Sequence, residues 1–231
     1  MKKGGRWGLS QEGLKLVACV SMLLDHIGAV FLPGYYTYYT LRIIGRIAFP
    51  IYCFLLAEGA FYTRNRRKYA FRLGIGAVLS ELPFDLAFYG GVTLAHQSVM
   101  LTLLLGLGAL SLGRNRHPAI RILITLLLAG AAEWLNTDYG AWGVLMIAAF
   151  GLSREISGSK WITAGLLAAI CLMMDSTRVP FLGNVPIELF ALGAMVPIAL
   201  YSGEKRTAGK GIGRAFYSFY PLHLLVLWLL A

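Results

Sequence analysis

The chain has 231 residues, of which 58% are hydrophobic and only 14% are charged, and its mean hydropathy is +0.66. Soluble domains are about half apolar and about a quarter charged, so this composition excludes an ordinary soluble domain and indicates a polytopic membrane protein. The net charge of +10 would suit a nucleic-acid-binding protein only if the Lys and Arg formed one solvated patch. They are instead dispersed between apolar runs, and we therefore expect no nucleic acid as a partner.

Apolar runs separated by turn residues predict an all-α helical bundle of about nine transmembrane helices, in a single domain covering residues 1–231. Some runs are shorter than the roughly 20 residues of a perpendicular crossing. We expect these to be tilted, re-entrant or buried behind other helices. In chain order the predicted spans are 14–31, 42–61, 70–89, 98–113, 120–135, 139–153, 161–175, 186–201 and 215–231.

The Lys and Arg residues predict the orientation of the bundle, because basic residues accumulate on cytoplasmic loops. With the N-terminus inside, 18 of the 21 Lys and Arg fall on inner segments. Only Arg42, Arg46 and Arg178 remain for the outer half. The sequence therefore predicts an inside N-terminus, an outside C-terminus and an odd number of spans.

Two ionisable residues, Asp25 and His26, lie past the middle of the first predicted span. A charged residue at the centre of a membrane helix costs roughly 2.5–3.5 kcal/mol on insertion scales, so such residues indicate function. Imidazole titrates near physiological pH, which suits a general base, although a satisfied interior histidine is the alternative. Adjacent residues lie about 100° apart around a helix, so Asp25 need not bond His26 and is free to orient another group or to neutralise Arg42 or Arg46.

Further charged residues follow in the second and third predicted spans. Arg42 and Arg46 are four residues apart, as are Glu81 and Asp85, so each pair shares one helix face. Opposed charges in a poor solvent pair, so one interpretation is a set of ion pairs between these helices. The functional interpretation is an outward-facing polar cavity, since the planar fork of arginine suits phosphate or carboxylate groups.

Glu58 is a lone carboxylate in the inner half of the second span, and pairing with the basic loop, for example with Arg64, competes with a role in the site. For His223, a bond to a carbonyl freed by Pro221 and a role in the site both stay open. The cysteines lack metal-ligand spacing, and we expect no metal. Other charged residues lie at predicted outer ends of later spans, namely Glu133, Asp138, Asp175, Arg178 and Glu188.

Several motifs together resemble the TraX family, named for the conjugative-plasmid protein that acetylates the N-terminus of F-type pilin. The resemblance is dense over about the first 90 residues and at the C-terminus, while the middle is similar only in hydropathy. The segments that carry it are LLDHIG (23–28), LRIIGRIAFP (41–50), EG (58–59), TRNRRKY (63–69), SELPFD (80–85) and FYPLHL (219–224).

The resemblance implies a multi-pass acetyltransferase of the bacterial cytoplasmic membrane that uses acetyl-CoA and is distantly similar to transmembrane acyltransferases such as the heparan N-acetyltransferase. Carried over to this sequence, His26, with Asp25 beside it, is the general base or a transient acyl carrier. From their depth in the bundle alone, we expect Arg42 and Arg46 to position the acceptor or stabilise the thioester oxyanion. The basic inner loop binds the phosphates of CoA through Arg64, Arg66, Arg67 and Lys68.

The acceptor stays open among a peptide amine, an amino sugar and a polymer hydroxyl, with N-acetylation favoured over O-acetylation. Because CoA is made inside and His26 lies toward the outside, we expect the pantetheine arm to reach through the bundle. The rival interpretation is a proton-coupled transporter or flippase in which Asp25, His26, Glu81 and Asp85 form a proton relay. Dependence on acetyl-CoA separates the two.

Overall fold

The computed structural model describes residues 8–34, 36–156, 160–174, 177–203 and 210–231, and of residues 160 and 210–215 only the backbone. Apart from one short hairpin, the ordered elements in these ranges are helical. The α-helices are α1 (Gln11–Phe31), α2 (Tyr36–Gly45), α3 (Ala48–Tyr62), α4 (Arg66–Tyr89), α5 (Val99–Leu112), α6 (Pro118–Trp134), α7 (Gly140–Ile156), α8 (Lys160–Met173), α9 (Met195–Ala199) and α10 (Lys210–Leu230).

A small irregular segment separates α8 from α9. It contains an antiparallel hairpin of β1 (Arg178–Val179) and β2 (Val185–Pro186), with a 3₁₀ turn at Pro180–Leu182 between the strands. A longer 3₁₀ helix, Ile187–Ala194, follows and runs directly into α9. This segment matters for the site because it carries Glu188.

Local sequence signals define where several helices begin and end. The Ser10 hydroxyl caps α1 by accepting a hydrogen bond from the Gly13 amide at 3.2 Å. The Asn65 side chain does the same for α4 by accepting from the Lys68 amide at 2.8 Å. Both satisfy amides that the helix leaves without partners. Gly90 ends α4 in the left-handed conformation, with φ of 69°, which glycine adopts without a steric penalty.

The all-α prediction is confirmed, and each of the nine predicted spans coincides with a helical stretch of the structure. Two details differ. The span predicted at 42–61 begins earlier, as α2, and is interrupted near Arg46 before α3 begins. Within the described residues, only α1 and the stretch Tyr36–Tyr62 are long and apolar enough to pass as membrane spans by themselves; four further apolar helices are shorter.

Helix α3 forms the centre of the bundle. It packs against α1, α5, α7 and the 3₁₀ helix that carries Glu188. Its buried side chains point in all directions around the helix axis, and they include Ile51, Cys53, Leu55 and Leu56. A helix that is apolar all round is buried rather than amphipathic, which explains why α3 shows no polar face.

Glycines allow two neighbouring helices of this bundle to approach closely. A Cβ atom at Gly106 in α5 would overlap Ile147 of α7, and one at Gly143 in α7 would overlap Thr102 of α5. Small residues at such crossings let helix backbones come together and increase dispersion contacts. The α5–α7 contact is therefore fixed by glycine on both helices.

The loops are grouped at the two ends of the bundle as the predicted alternation of spans requires. At one end Leu9 forms a β-bridge with Tyr201, which joins two segments predicted to be inside. At the other end Gln97 forms a bridge with Thr137, which joins two loops predicted to be outside. We call these the inner end and the outer end, after that prediction.

Candidate functional site

A cavity of about 1330 Å³ runs between α1, α3, α4 and α10. At the inner end it reaches Lys15, Thr63 and Arg72, and at the outer end it reaches Gly34 and Thr177. Exposed loop residues lie at both ends, so the cavity extends along the length of the bundle. A typical small-molecule pocket has about 300–1000 Å³, so this space accommodates a long, flexible ligand.

Two histidines that are 197 residues apart in sequence meet at the wall of this cavity. Nδ1 of His26 lies 2.7 Å from Nε2 of His223, and Nδ1 of His223 lies 2.8 Å from the carbonyl oxygen of Phe219. The two ring planes are only 10° apart, with 4.9 Å between ring centroids. The bonded nitrogens therefore lie close to the line between the centroids, and the rings meet edge to edge as a linear hydrogen bond requires.

These contacts determine the tautomers of both rings. A carbonyl oxygen only accepts hydrogen bonds, so the His223 Nδ1 must be the donor to Phe219. In neutral His223 the Nε2 is then an acceptor, and His26 donates to it from Nδ1. Nε2 of neutral His26 is consequently the unprotonated nitrogen. His26 lines the cavity, whereas His223 is buried behind it.

Aromatic rings surround this histidine pair. The Phe88 ring lies edge-on to His26 at 5.2 Å between centroids, and Tyr220 lies at 6.2 Å. Phe219 stacks on His223 at 4.8 Å. Such packing restricts the ring orientations, which a positioned base requires.

Asp25 does not contact His26; it holds two arginines instead. Arg46 donates from Nη2 to both carboxylate oxygens of Asp25, at 2.7 and 2.8 Å, and from Nη1 to Glu188 at 2.7 Å. Arg42 forms a further ion pair with Asp25 through Nη1. Asp25, Arg46 and Glu188 are all buried, so each charge is compensated by direct hydrogen bonds, as buried charges require.

Gly45 makes this ion cluster possible. It precedes Arg46 and packs directly against Asp25, and a Cβ atom at this position would overlap the Asp25 side chain. Only glycine therefore lets α2 approach α1 closely enough for both arginines to reach the same carboxylate.

A strained loop between α6 and α7 adds two residues that sequence reasoning did not assign to the site. Tyr139 has φ of +64°, which is uncommon for a bulky residue and is found where function or packing compensates for strain. Its ring stacks on Phe49 at 3.8 Å and lies 5.8 Å from the Arg46 guanidinium. Asp138, which the sequence placed at the outer end without a role in the reaction, lines the cavity.

The Asp138 carboxyl is exposed to the cavity but surrounded by protein. This desolvation raises its pKa from 3.8 to about 6, against the opposing attraction of Arg46. The folded protein therefore holds the Asp138 proton more tightly than the unfolded chain does. Charging Asp138 destabilises the fold as pH rises from about 4 to about 6, and the full penalty persists above pH 6.

We expect Asp138→Asn to raise the thermal unfolding midpoint at pH 8, because asparagine removes a desolvated charge without changing side-chain size. At pH 4 the two proteins should unfold at nearly the same temperature, since Asp138 is then protonated in the fold. Differential scanning fluorimetry in detergent across this pH range makes the comparison. A stability gain that does not depend on pH would contradict the assignment.

A second, polar cavity of about 520 Å³ lies at the outer end, and we call it the outer vestibule. It shares Arg42, Arg46 and Asp138 with the main cavity and adds Glu133 and Glu188. The sequence-based expectation of an outward-facing polar cavity thus corresponds to this space.

Glu81 and Asp85 are not brought to the cavity, and their expected pairing with Arg42 and Arg46 does not occur. Glu81 accepts hydrogen bonds from the amide and hydroxyl of Ser98, at 3.1 and 2.8 Å, and so caps the start of α5. Asp85 accepts from the amide of Thr93 at 2.9 Å. Both carboxylates hold the α4–α5 loop, because its backbone amides lie nearer than any guanidinium.

The remaining sequence-predicted residues lie toward the inner end. Glu58 lines the cavity and pairs with Arg154 at 2.8 Å, not with Arg64. The loop cations do not line the cavity: the side chains of Arg64, Arg67 and Lys68 are exposed, and Arg66 donates to the Ala60 carbonyl at 3.1 Å. Among the described residues no cluster suited to a metal ion occurs. Asp175 and the cations Lys2, Lys3, Arg6, Lys205 and Arg206 lie outside the described residues.

Comparison with known proteins gives one family and several relatives. The profile of the family described as TraX protein matches residues 10–231. The chain is 33% identical to a probable fimbrial assembly protein FimC, serogroup H1, of Dichelobacter nodosus, over 93% of the chain and 92% of that protein. It is 27% identical to protein TraX of Escherichia coli, over 97% of the chain and 89% of that protein. No solved structure matches.

Proposed function

Because the chain belongs to the TraX family, we propose that it is an integral-membrane acetyltransferase that moves an acetyl group from acetyl-CoA to an amine or hydroxyl acceptor. The observation that carries this proposal is the His26–His223–Phe219 chain at the wall of a cavity reaching both ends of the bundle. A fixed tautomer, a free basic nitrogen and room for a long donor are what acyl transfer from a thioester needs.

The proposed reaction uses Nε2 of His26 as the base. The acceptor amine attacks the thioester carbonyl carbon and forms a C–N bond while Nε2 removes one amine proton. Collapse of the tetrahedral intermediate breaks the C–S bond, and the departing CoA sulfur takes that proton from His26. The hydrogen bond from His26 Nδ1 to His223 persists throughout and stabilises the imidazolium, with the Phe219 carbonyl holding His223 in place.

Arg42 is better placed than Arg46 to stabilise the oxyanion. Arg46 is buried and uses both terminal nitrogens on Asp25 and Glu188. Arg42 gives Asp25 one nitrogen, retains partial exposure and lines the cavity. A preorganised donor at a developing oxyanion typically contributes about 10²–10³ in rate. Arg46 then acts as a positioning residue that holds Asp25, and through it Arg42.

The outer surface of the bundle supports the proposed membrane location. Many large apolar side chains face outward, including Val78, Leu126 and Leu127, at 75%, 56% and 64% exposure. Trp134 and Trp161 lie at helix ends with 82% and 88% exposure, where tryptophan in membrane proteins meets the headgroup region. Together with α1 and Tyr36–Tyr62, these exposed apolar and tryptophan side chains favour a multi-pass protein.

The outer vestibule is the proposed entrance for the acceptor. A relative is named as a probable fimbrial assembly protein, which favours a peptide amine on a pilin-like protein over an amino sugar or a polymer hydroxyl. Carboxylates at the vestibule, among them Asp138 and Glu133, suit a cationic ammonium group before it is deprotonated.

The rival transporter interpretation has less support. Its proton relay requires Glu81 and Asp85 beside Asp25 and His26, but those two carboxylates are bound to loop amides and do not line the cavity. The pairing of His26 with His223 also leaves a single free basic nitrogen, which suits one proton transfer at a fixed place.

We expect the purified protein in detergent to bind radiolabelled acetyl-CoA saturably and to hydrolyse it slowly without acceptor, because water can replace the amine in the proposed reaction. Addition of a synthetic peptide with a free N-terminal amine should accelerate release of CoA, whereas the N-acetylated peptide should not. Proton flux, which the transporter interpretation predicts, is measured with the protein in liposomes loaded with a pH-sensitive dye. Proton flux without any acetyl-CoA binding would replace the proposed function by the transporter.

A further inference from the structure

The inner end of the cavity is lined by a group of residues that the proposed acyl transfer does not use. We define the inner mouth by six lining residues, which are Lys15, Thr63, Tyr69, Arg72, Phe216 and Tyr217. They come from α1, the α3–α4 loop, α4 and α10, so elements distant in sequence converge there. The group combines two cations with three aromatic rings.

The cations and the rings of the inner mouth are in contact. The Lys15 ammonium lies 5.3 Å from the centroid of the Phe216 ring, and the Arg72 guanidinium lies 5.9 Å from that of Tyr69. In the part of the chain that the structure describes, Arg72 forms no ion pair with a carboxylate. A guanidinium held at a cavity entrance in this way is available to an anionic ligand.

The geometry points to the inner mouth as the binding site for the adenosine phosphate end of the acyl donor, with Lys15 and Arg72 on the phosphates and Tyr69, Phe216 or Tyr217 against the adenine. Stacking of a base on an aromatic side chain contributes about 1–3 kcal/mol and complements charge-assisted bonds to phosphate. This inference rests on the proposed function, because it takes CoA to be the donor. It assigns the phosphates to cavity residues rather than to the exposed loop.

The position of the loop cations supports this choice. Arg64, Arg67 and Lys68 are exposed and do not line the cavity. A nucleotide held by them would lie beside the entrance, whereas one held by Lys15 and Arg72 lies on the path that leads to His26. The pantetheine arm then continues into the cavity directly from its own phosphates.

The test is the binding of adenosine 3′,5′-bisphosphate, which carries no acyl group, to the full chain in nanodiscs by calorimetry. Arg72→Gln and Lys15→Gln should each weaken binding by about 10- to 100-fold, the loss expected for one charge-assisted bond. Arg64→Gln is the matched control, because Arg64 is an exposed cation near the same end, and it should bind like the wild type. Adenosine should bind more weakly than the bisphosphate.

Three results would overturn the inference. The first is unchanged binding in Arg72→Gln and Lys15→Gln, and the second is an equal loss of binding in Arg64→Gln. The third is binding that disappears in anionic phosphatidylglycerol nanodiscs while persisting in zwitterionic ones, since the site would then belong to lipid headgroups.

The two proposals fail separately. Arg72-dependent nucleotide binding without acetyl transfer would remove the acetyltransferase and keep the nucleotide site; acetyl transfer with Arg72-independent binding would do the reverse.

Discussion

Replacement of His26 by glutamine is expected to reduce acetyl transfer by about 10²–10⁴-fold, the usual contribution of a positioned general base. Glutamine keeps a polar side chain of similar length but has no nitrogen that accepts a proton near neutral pH. Because the change leaves the inner mouth untouched, acetyl-CoA binding should remain. Transfer rates and binding of labelled acetyl-CoA in the same preparation give both quantities.

Matched histidine variants make this result specific. His117 lies in a loop and caps α6, accepting from the Ala119 amide at 3.3 Å, so His117→Asn retains the cap and should transfer acetyl groups at the wild-type rate. His223→Gln should slow transfer by a smaller factor than His26→Gln and change the pH profile. The double variant should be no slower than His26→Gln alone, because groups that act as one unit are not additive. Normal transfer by folded His26→Gln would exclude the proposed base.

Replacement of Arg46 by methionine is expected to destabilise the fold by about 3–5 kcal/mol, the effect of removing one partner from a buried ion pair. Methionine fills much of the same volume but leaves Glu188 without its hydrogen bond and Asp25 with Arg42 alone. Arg46→Lys should be intermediate, because an ammonium cannot bridge two carboxylates with a planar fork. Unfolding in mixed micelles, followed by circular dichroism, measures the loss.

An exposed ion pair in the same protein serves as the control for Arg46. Arg121 and Glu155 form an ion pair with side-chain exposures of 25% and 46%, and such pairs contribute about 0–1 kcal/mol. Arg121→Met should therefore change stability little. Neutralising both carboxylates, by Asp25→Asn and Glu188→Gln, should restore part of the stability lost in Arg46→Met. Equal effects of Arg46→Met and Arg121→Met would show that the buried cluster does not stabilise the fold.

Local patterns in the sequence predicted a large part of this fold. Apolar runs located the nine helical stretches, because a helix in apolar surroundings on all sides needs a long uninterrupted run of apolar residues. The spacing of Arg42 and Arg46 placed both on one face, and both indeed reach Asp25. These features depend on residues within one or two helical turns, which periodicity captures.

The parts that sequence reasoning did not predict depend on long-range contacts or on competition for partners. His26 meets His223 across 197 residues, and Arg46 meets Glu188 across 142; no local spacing encodes either pair. Glu81 and Asp85 have the same spacing as the arginines, yet their hydrogen-bond partners are the amides of Ser98 and Thr93. The loop that carries Asp138 has left-handed backbone at Tyr139 and Gly140, and no local spacing predicts that conformation at a tyrosine.

The two ends of the cavity give the proposed reaction a direction in space. Exposed residues line both of its ends, so under the proposed function the thioester and the acceptor would reach His26 from opposite sides and neither would have to pass the other. Spent CoA would withdraw by the route it entered and rejoin the internal pool without an export step. The two-carbon acyl unit would then be the only part of either substrate that changes compartment, and the proposed reaction would modify an external molecule at the expense of an internal metabolite.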